Sequence, residues 1–287
     1  MPCSSPNYLG QTEPGKPWKN WSGRVSATVE SYFTPIQPGN ASLPLPSPLG
    51  LQQLVHLVSQ ASLQAKSIHP IGSGWANTDM ATSSQWMVDL KALCSQLSYV
   101  VGASNTALTP AWQAHQADPA AATKLVHFEA GIEVGAAAET LASLGLAFPS
   151  LGGANGQKLA GVVSTSTHGG EWNLPPLPDL VRAIHLVAPT GQELWIERAS
   201  EPITTDTALR AVLPCTDTRI VRSDAVFDAA VVSFGRFGVI YSMVLEVRKA
   251  FRVVELITKP SVQSALAALD QGRSQSQPFA PLFALAA

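Results

Sequence analysis

The stretch LGGANGQKLAGVVSTSTHGG, residues 151–170, constrains this chain more than any other. It gathers Gly, Ser and Thr around one histidine, His168, and its only charged residue is Lys158. A second small-residue loop, PIGSGWA at residues 70–76, precedes it. Glycine lets backbone approach a ligand closely, and successive amide N–H groups in such turns form anion-binding concavities. The pair reads as two halves of one cradle for a diphosphate, held by amide donors and hydroxyls without a lysine cluster. Each loop alone also has a plainer reading. GSG occurs in many turns, and the run STSTH at residues 164–168 is equally a solvated loop after a short helix.

A length of 287 residues allows one large domain or two medium ones. Hydrophobic residues make up 46% and charged residues 13%, against about 25% charged in ordinary soluble domains. Such a chain covers its surface poorly with charge, which implies an extra face buried against a partner or cofactor, or a missing part. The formal net charge of −2 gives no basic footprint for nucleic acid. The three cysteines, Cys3, Cys94 and Cys215, are far apart and form no CxxC, so neither a disulfide framework nor a zinc site is suggested. Cys94 and Cys215 read as buried apolar residues. No signal peptide is visible in the first thirty or so residues, and no run of about eighteen apolar residues marks a membrane span. The expectation is a cytoplasmic protein with no metal site.

Residues 1–48 are rich in Pro, Ser, Gly and Asn and read as an extended lead-in that packs on the surface, pinned by Trp18, Trp21, Tyr32 and Phe33. Residues 50–65 turn helical, with Leu51, Leu54, Val55 and Val58 at three- and four-residue spacing. Strands at 67–71 and 86–90 flank the first glycine loop, a βαβ-like arrangement with the loop at a strand's end, where α/β folds bind ligands. The loop is not a GxGxxG that opens a helix, which disfavours a Rossmann site. Residues 102–123 read as an inserted loop, with His115 as a solvated loop residue. A strand at 125–130, a helix at 133–144 stopped by Gly145 and a short helix near 159–163 follow. Beyond a proline-rich crossing come strands at 181–188 and 192–196, a helix at 207–212 capped by Thr205 or Asp206, a strand at 239–247 and a helix at 262–269. No GxSxG elbow suggests a hydrolase.

Three segments then come in order: SIHPIGSGWANTDMATSSQWMVDL, EAGIEVGAAAETLASLGLAFPSLGGANGQKLAGVVSTSTHGG and FDAAVVSFGRFGVIYSMVLEV. Together they resemble the FAD-binding, PCMH-type domain of the vanillyl-alcohol oxidase superfamily, which pairs a PxGxGHS-like loop with an AGxxSTGTHG-like segment and a GALGVIT-like strand. The nearest branch is that of the sugar-lactone and alditol oxidases, which NWSG at residues 20–23 also resembles. The resemblance runs roughly from residue 18 to residue 250. It implies an α+β fold of two subdomains, a small βαβ-type sheet and a larger mixed or antiparallel sheet, with FAD between them. The corresponding division is a lead-in at 1–42, the FAD-binding domain at 43–250 and, at 251–287, the start of a truncated or missing substrate domain.

By the same resemblance, Ile71, Gly72, Ser73, Gly74, Trp75 and Ala76 wrap the FAD pyrophosphate. Gly153, Lys158 and Gly161 line the flavin. Thr165, Ser166, Thr167 and His168, with Gly169, make the second pyrophosphate and flavin contact, His168 serving equally well as mere support of its loop. Val239 or Ile240 meets the adenine. Two departures from the family pattern matter. Trp75 stands where many relatives carry the histidine that bonds covalently to the flavin, so the cofactor is expected to be dissociable FAD. The chain also stops soon after the adenine strand, so no catalytic base can be named.

The implied activity is that of an FAD-dependent oxidoreductase oxidising a CH–OH group of a sugar, sugar lactone or polyol, with oxygen as acceptor. The alternatives are an FAD-binding module without turnover of its own, and an interaction protein whose Trp75 fills part of the flavin space. The expected partner is a small-molecule substrate, and an uncovered apolar face would promote association.

Overall fold

The computed structural model describes residues 10–36, 49–102, 104–171, 173–253 and 259–272. The chain divides into two compact units, Met1–Ala250 and Phe251–Ala287. Among the described residues of the second unit, the regular element is the helix Val262–Gly272. Residues 1–9 and 37–48 of the expected proline-rich lead-in and the apolar tail after residue 272 lie outside the described residues.

The first unit holds two sheets. The smaller has four strands, β1 (Gln11–Lys19), β2 (Ser26–Thr34), β3 (Ile68–Ile71) and β4 (Trp86–Asp89), in the order β1-β2-β4-β3. β1 and β2 form an antiparallel hairpin, and β2, β4 and β3 run parallel. Residues 11–34, expected as a surface lead-in, are therefore built into the sheet. Pro14 and Pro17 hid this strand, yet both lie on β1 at the sheet's edge, where a strand tolerates proline better than at the centre of a sheet. Between β2 and β3 runs α1 (Leu49–Leu63). It buries Leu51, Leu54, Leu57, Val58 and Ala61, a stripe at helical spacing that becomes part of the main core.

The larger sheet has seven strands: β5 (Gln96–Leu97), β6 (Thr123–Glu129), β7 (Leu146–Ala147), β8 (Val181–Val187), β9 (Glu193–Glu197), β10 (Arg219–Arg222) and β11 (Val239–Lys249). Their order is β10-β9-β8-β11-β6-β5, with β7 on the end of β11. All pairs are antiparallel except β10 with β9. The central strand β11 is buried on both faces over most of its length, which explains its nearly unbroken apolar sequence. α1 packs against β8 and β11, so the helix joins the two sheets through one core.

The remaining helices of this unit are α2 (Pro110–Ala117), α3 (Val134–Ser143), α4 (Leu159–Ser164), α5 (Asp206–Val212) and α6 (Asp224–Val231). α2 corrects the reading of residues 102–123 as a loop. Thr109 caps it and Pro110 opens it, but its alanine-rich turns bury no residue, so there was no apolar stripe to read. His115 is accordingly a half-buried helix residue, its Nε2 within 3.0 Å of Thr123 O. α3 stops at Gly145, whose φ of +70° ends the helix as expected. Cys215 is buried as expected but is disulfide-bonded, whereas Cys94 is free and exposed rather than buried. No helix of the described residues is long and apolar enough to cross a membrane.

Candidate functional site

β3 delivers the first glycine loop to the end of a parallel strand pair, where successive residues leave the ladder and their amides are free to face a ligand. Ser73, Gly74, Trp75 and Ala76 donate no backbone hydrogen bond to another carbonyl among the described residues. Gly74 adopts φ +68°, a left-handed conformation that suits glycine.

The second segment is set by hydrogen bonds to the chain just past β6. Leu159 N donates to Ile132 O at 2.8 Å and Ala160 N to Ala130 O at 3.1 Å, and Ala130 N in turn donates to Tyr241 O on β11 at 2.8 Å. These bonds anchor the start of α4 to the larger sheet. The two segments then meet. Ser73 Oγ donates to Gly156 O at 2.7 Å. A Cβ on Gly72 would stand 3.4 Å from Lys158 Cβ and 3.9 Å from Gly161 Cα.

Between them lies a cleft of about 440 Å³, within the range of small-molecule sites. Ile71, Gly72, Ser73, Gly74, Trp75 and Ala76 all line it. So do Lys158, Gly161, Thr165 and Thr167 from the second segment, and Ile240 from β11. Gly74 and Thr167, distant in sequence, thus share one cleft.

Gly153, Ser166, His168, Gly169 and Val239 are not among the lining residues. Val239 is buried beside Ile240, and strand alternation points the two to opposite faces. His168 is exposed and its Nδ1 lies 2.7 Å from Gly169 O. Gly169 packs within its own segment, where a Cβ would run into Ser150 Oγ and Glu171 Oε2. Ser150 donates to that Glu171 carboxylate at 2.6 Å, and this hydrogen bond holds the carboxyl below its usual pKa.

The amides of Thr165, Ser166 and Thr167 are already engaged. They donate to Gly161 O, Val163 O and Val162 O at 3.2, 3.1 and 2.9 Å, closing the end of α4. Ser166 makes this turn at φ +55°. The Thr165 hydroxyl likewise donates to Gly161 O at 2.9 Å, so the second segment can offer a ligand the Thr167 hydroxyl and Lys158, and the first loop its amides.

Several lining residues were not singled out from sequence. Phe234, Gly235 and Gly238 belong to the SFGRFG loop before β11, and Asn77 and Thr78 follow the first loop. Gly238, at φ +141°, passes so close to Val187 O that a Cβ would clash, which the GALGVIT-like motif could have flagged. His69 lines the cleft with its pKa lowered, first by burial and then by the nearby Arg236. Gln157 also lines it, and its buried Oε1 has no hydrogen-bond partner among the described residues. A buried acceptor left unpaired is costly, so Gln157 is suited to a donor on a ligand.

These features fit a dinucleotide. The cleft offers unengaged amides for phosphate oxygens and an orphaned acceptor, and a Cβ at Gly161 would meet nothing within 4 Å. Lys158, paired with Glu133 Oε1 at 2.9 Å, is the lining lysine.

No family model matches the chain. Among curated proteins it is similar to the D-arabinono-1,4-lactone oxidases of Kluyveromyces lactis and Saccharomyces cerevisiae, each 25% identical over 240 residues that cover 82% of this chain and 35% of the relative. It is also similar to L-galactono-1,4-lactone dehydrogenase 2, mitochondrial, of Oryza sativa, 25% identical over 155 residues, 54% of this chain and 23% of that protein. The chain thus spans about a third of the length of the lactone oxidases it matches. Among solved structures, a solvent-stable cholesterol oxidase superposes with a TM-score of 0.53 at 16% identity, covering 85% of this chain and 39% of that one. A cholesterol oxidase from Brevibacterium sterolicum gives 0.56 at 15% identity, covering 86% and 39%. The two mixed sheets are the fold of these neighbours. In sequence the chain is thus similar to sugar-lactone oxidases, and in fold to the cholesterol oxidases.

Proposed function

We propose that this chain is the FAD-binding portion of a flavin-dependent oxidoreductase that oxidises a CH–OH group of a sugar lactone or related polyol. The observation that carries the reading is the convergence of residues 71–76 with Lys158, Gly161, Thr165 and Thr167 on one cleft. The loop amides of residues 73–76 would hold the diphosphate, and the hydroxyl of Thr167 would add a donor on the facing wall, that of Thr165 being already donated to Gly161 O at 2.9 Å. Lys158, which lines the cleft, would supply a positive charge to the bound cofactor. Bound flavin would accept a hydride from the substrate carbon, and oxygen would serve as the terminal acceptor with release of peroxide.

The cofactor is held without a covalent bond. The indole of Trp75 has no nucleophilic nitrogen comparable to that of imidazole. Acid precipitation of the FAD-loaded protein should leave the yellow colour in the supernatant, and colour in the pellet would contradict this.

The chain spans 35% of the length of the lactone oxidases it matches; a second reading is that it binds FAD without turnover of its own. Adding D-arabinono-1,4-lactone and a panel of polyols to the FAD-loaded protein without oxygen separates the two. Bleaching of the flavin supports an oxidoreductase. A flavin that stays oxidised with every donor supports the binding module.

A further inference from the structure

The turn between β1 and β2 is bound to the first glycine loop rather than left free at a hairpin tip. Trp21 N donates to Gly74 O at 2.7 Å. Asn20, 4% exposed, donates Nδ2 to Ala76 O at 2.8 Å while its Oδ1 accepts from Val25 N at 3.0 Å. Trp18 lies against the same loop, 3.2 Å from where a Cβ on Gly74 would stand. The hairpin thus engages two loop carbonyls and leaves the amides of residues 73–76 for a ligand.

The indole of Trp21 stacks on that of Trp75, with centroids 4.8 Å apart and planes 20° from parallel. Trp75 lines the cleft, and its Cζ2 is 3.6 Å from the Cβ position of Gly156 in the second segment. Trp75 therefore sits between the hairpin turn and the facing wall. Trp21 itself is 69% exposed and belongs to none of the apolar clusters. A large apolar side chain held at the surface against a cleft wall does little for the core. Its contact is with the loop, so its effect should fall on what the loop holds.

We propose that Trp21 is a latch on the dinucleotide cleft. With Asn20 it positions residues 73–76, and its stack on Trp75 slows the release of a cofactor that no covalent bond retains. The inference rests on the reading that the cleft takes FAD, and it adds where retention resides.

The test compares the wild-type chain with Trp21→Ala, Trp21→Gln and Trp21→Phe. Each is loaded with FAD and diluted, and release is followed by the recovery of free-flavin fluorescence. Loss of the aromatic pair should speed release about three- to tenfold in Trp21→Ala and Trp21→Gln. Trp21→Phe, which keeps a ring on Trp75, should stay within about twofold of wild type by the same reasoning. Melting temperatures without FAD should be unchanged, because an exposed ring contributes little to folding. Release from Trp21→Ala and Trp21→Gln at the wild-type rate would overturn the latch while leaving FAD binding intact. A wild-type chain that takes up no FAD would remove the proposed function, and the latch with it.

Discussion

Gly72 and Lys158 face each other across the cleft, with 3.4 Å between the Cβ position of the glycine and Cβ of the lysine. A methyl group at Gly72 would make an ordinary van der Waals contact, whereas a branched side chain would extend into the space between the two walls. Gly72→Ala should therefore bind FAD nearly as well as wild type. Gly72→Val should lose at least about tenfold in affinity, roughly 1.4 kcal/mol. Calorimetric titration with FAD checks both, and melting without cofactor should distinguish narrowing of the cleft from misfolding.

Lys158 and its partner Glu133 should separate stability from binding. The pair is 2.9 Å apart with Glu133 half exposed, so Glu133→Gln should change unfolding free energy by less than about 1 kcal/mol. Lys158→Met should weaken FAD binding with little change in the urea midpoint. Equal effects of both substitutions on binding would show that the ion pair, rather than the lysine, is what the cofactor needs.

Gly131 should be indispensable to the fold. It follows β6, donates to Leu93 O at 2.8 Å, and comes so close to Leu90 that a Cβ would fall into its carbonyl group. Leu90 directly follows β4, so this contact joins the segments leaving the two sheets. Gly131→Ala cannot be accommodated by rotating a side chain and should cost about 3 kcal/mol or more. Urea unfolding monitored by circular dichroism gives the value.

His127 should make the protein acid-sensitive. It is fully buried on β6, with Nε2 2.9 Å from Ser242 Oγ and Nδ1 without a hydrogen-bond partner among the described residues. Burial, reinforced by the neighbouring His185, lowers its pKa from 6.5 to about 3. The unfolded chain therefore binds a proton that the folded chain refuses as pH falls below 6.5 toward 3. The contribution is absent above this window. Within it, stability falls with decreasing pH by up to about 1.4 kcal/mol per unit. Urea midpoints between pH 7 and pH 5 should drop for wild type and drop less steeply for His127→Gln.

The legible parts of the sequence were those with a strong apolar period or a glycine that geometry demands. α1 could be read from Leu51, Leu54 and Val58, and β11 from the strand-like alternation of residues 239–247. The two loops of the cleft stood out as small-residue stretches in a chain with little charge. β1 was hidden because edge pairing tolerates Pro14 and Pro17, and α2 because it buries no residue. The division of labour at the site was not legible either. Sequence pattern gives no sign that the amides of Thr165, Ser166 and Thr167 bond back to α4, or that Asn20 and Trp21 take up carbonyls of the opposite loop. The first depends on where α4 ends, and the second on long-range partners that no local window contains.

Titration of the purified chain with FAD, read by thermal melting and by quenching of tryptophan fluorescence, is the most direct test that the two segments close on a dinucleotide. Melting temperature should rise with FAD concentration, as mass action requires for a ligand that binds the folded state. Quenching should saturate at one FAD per chain, because Trp75 lies in the cleft wall. A chain that stays colourless, with a melting temperature and fluorescence indifferent to saturating FAD, would contradict it.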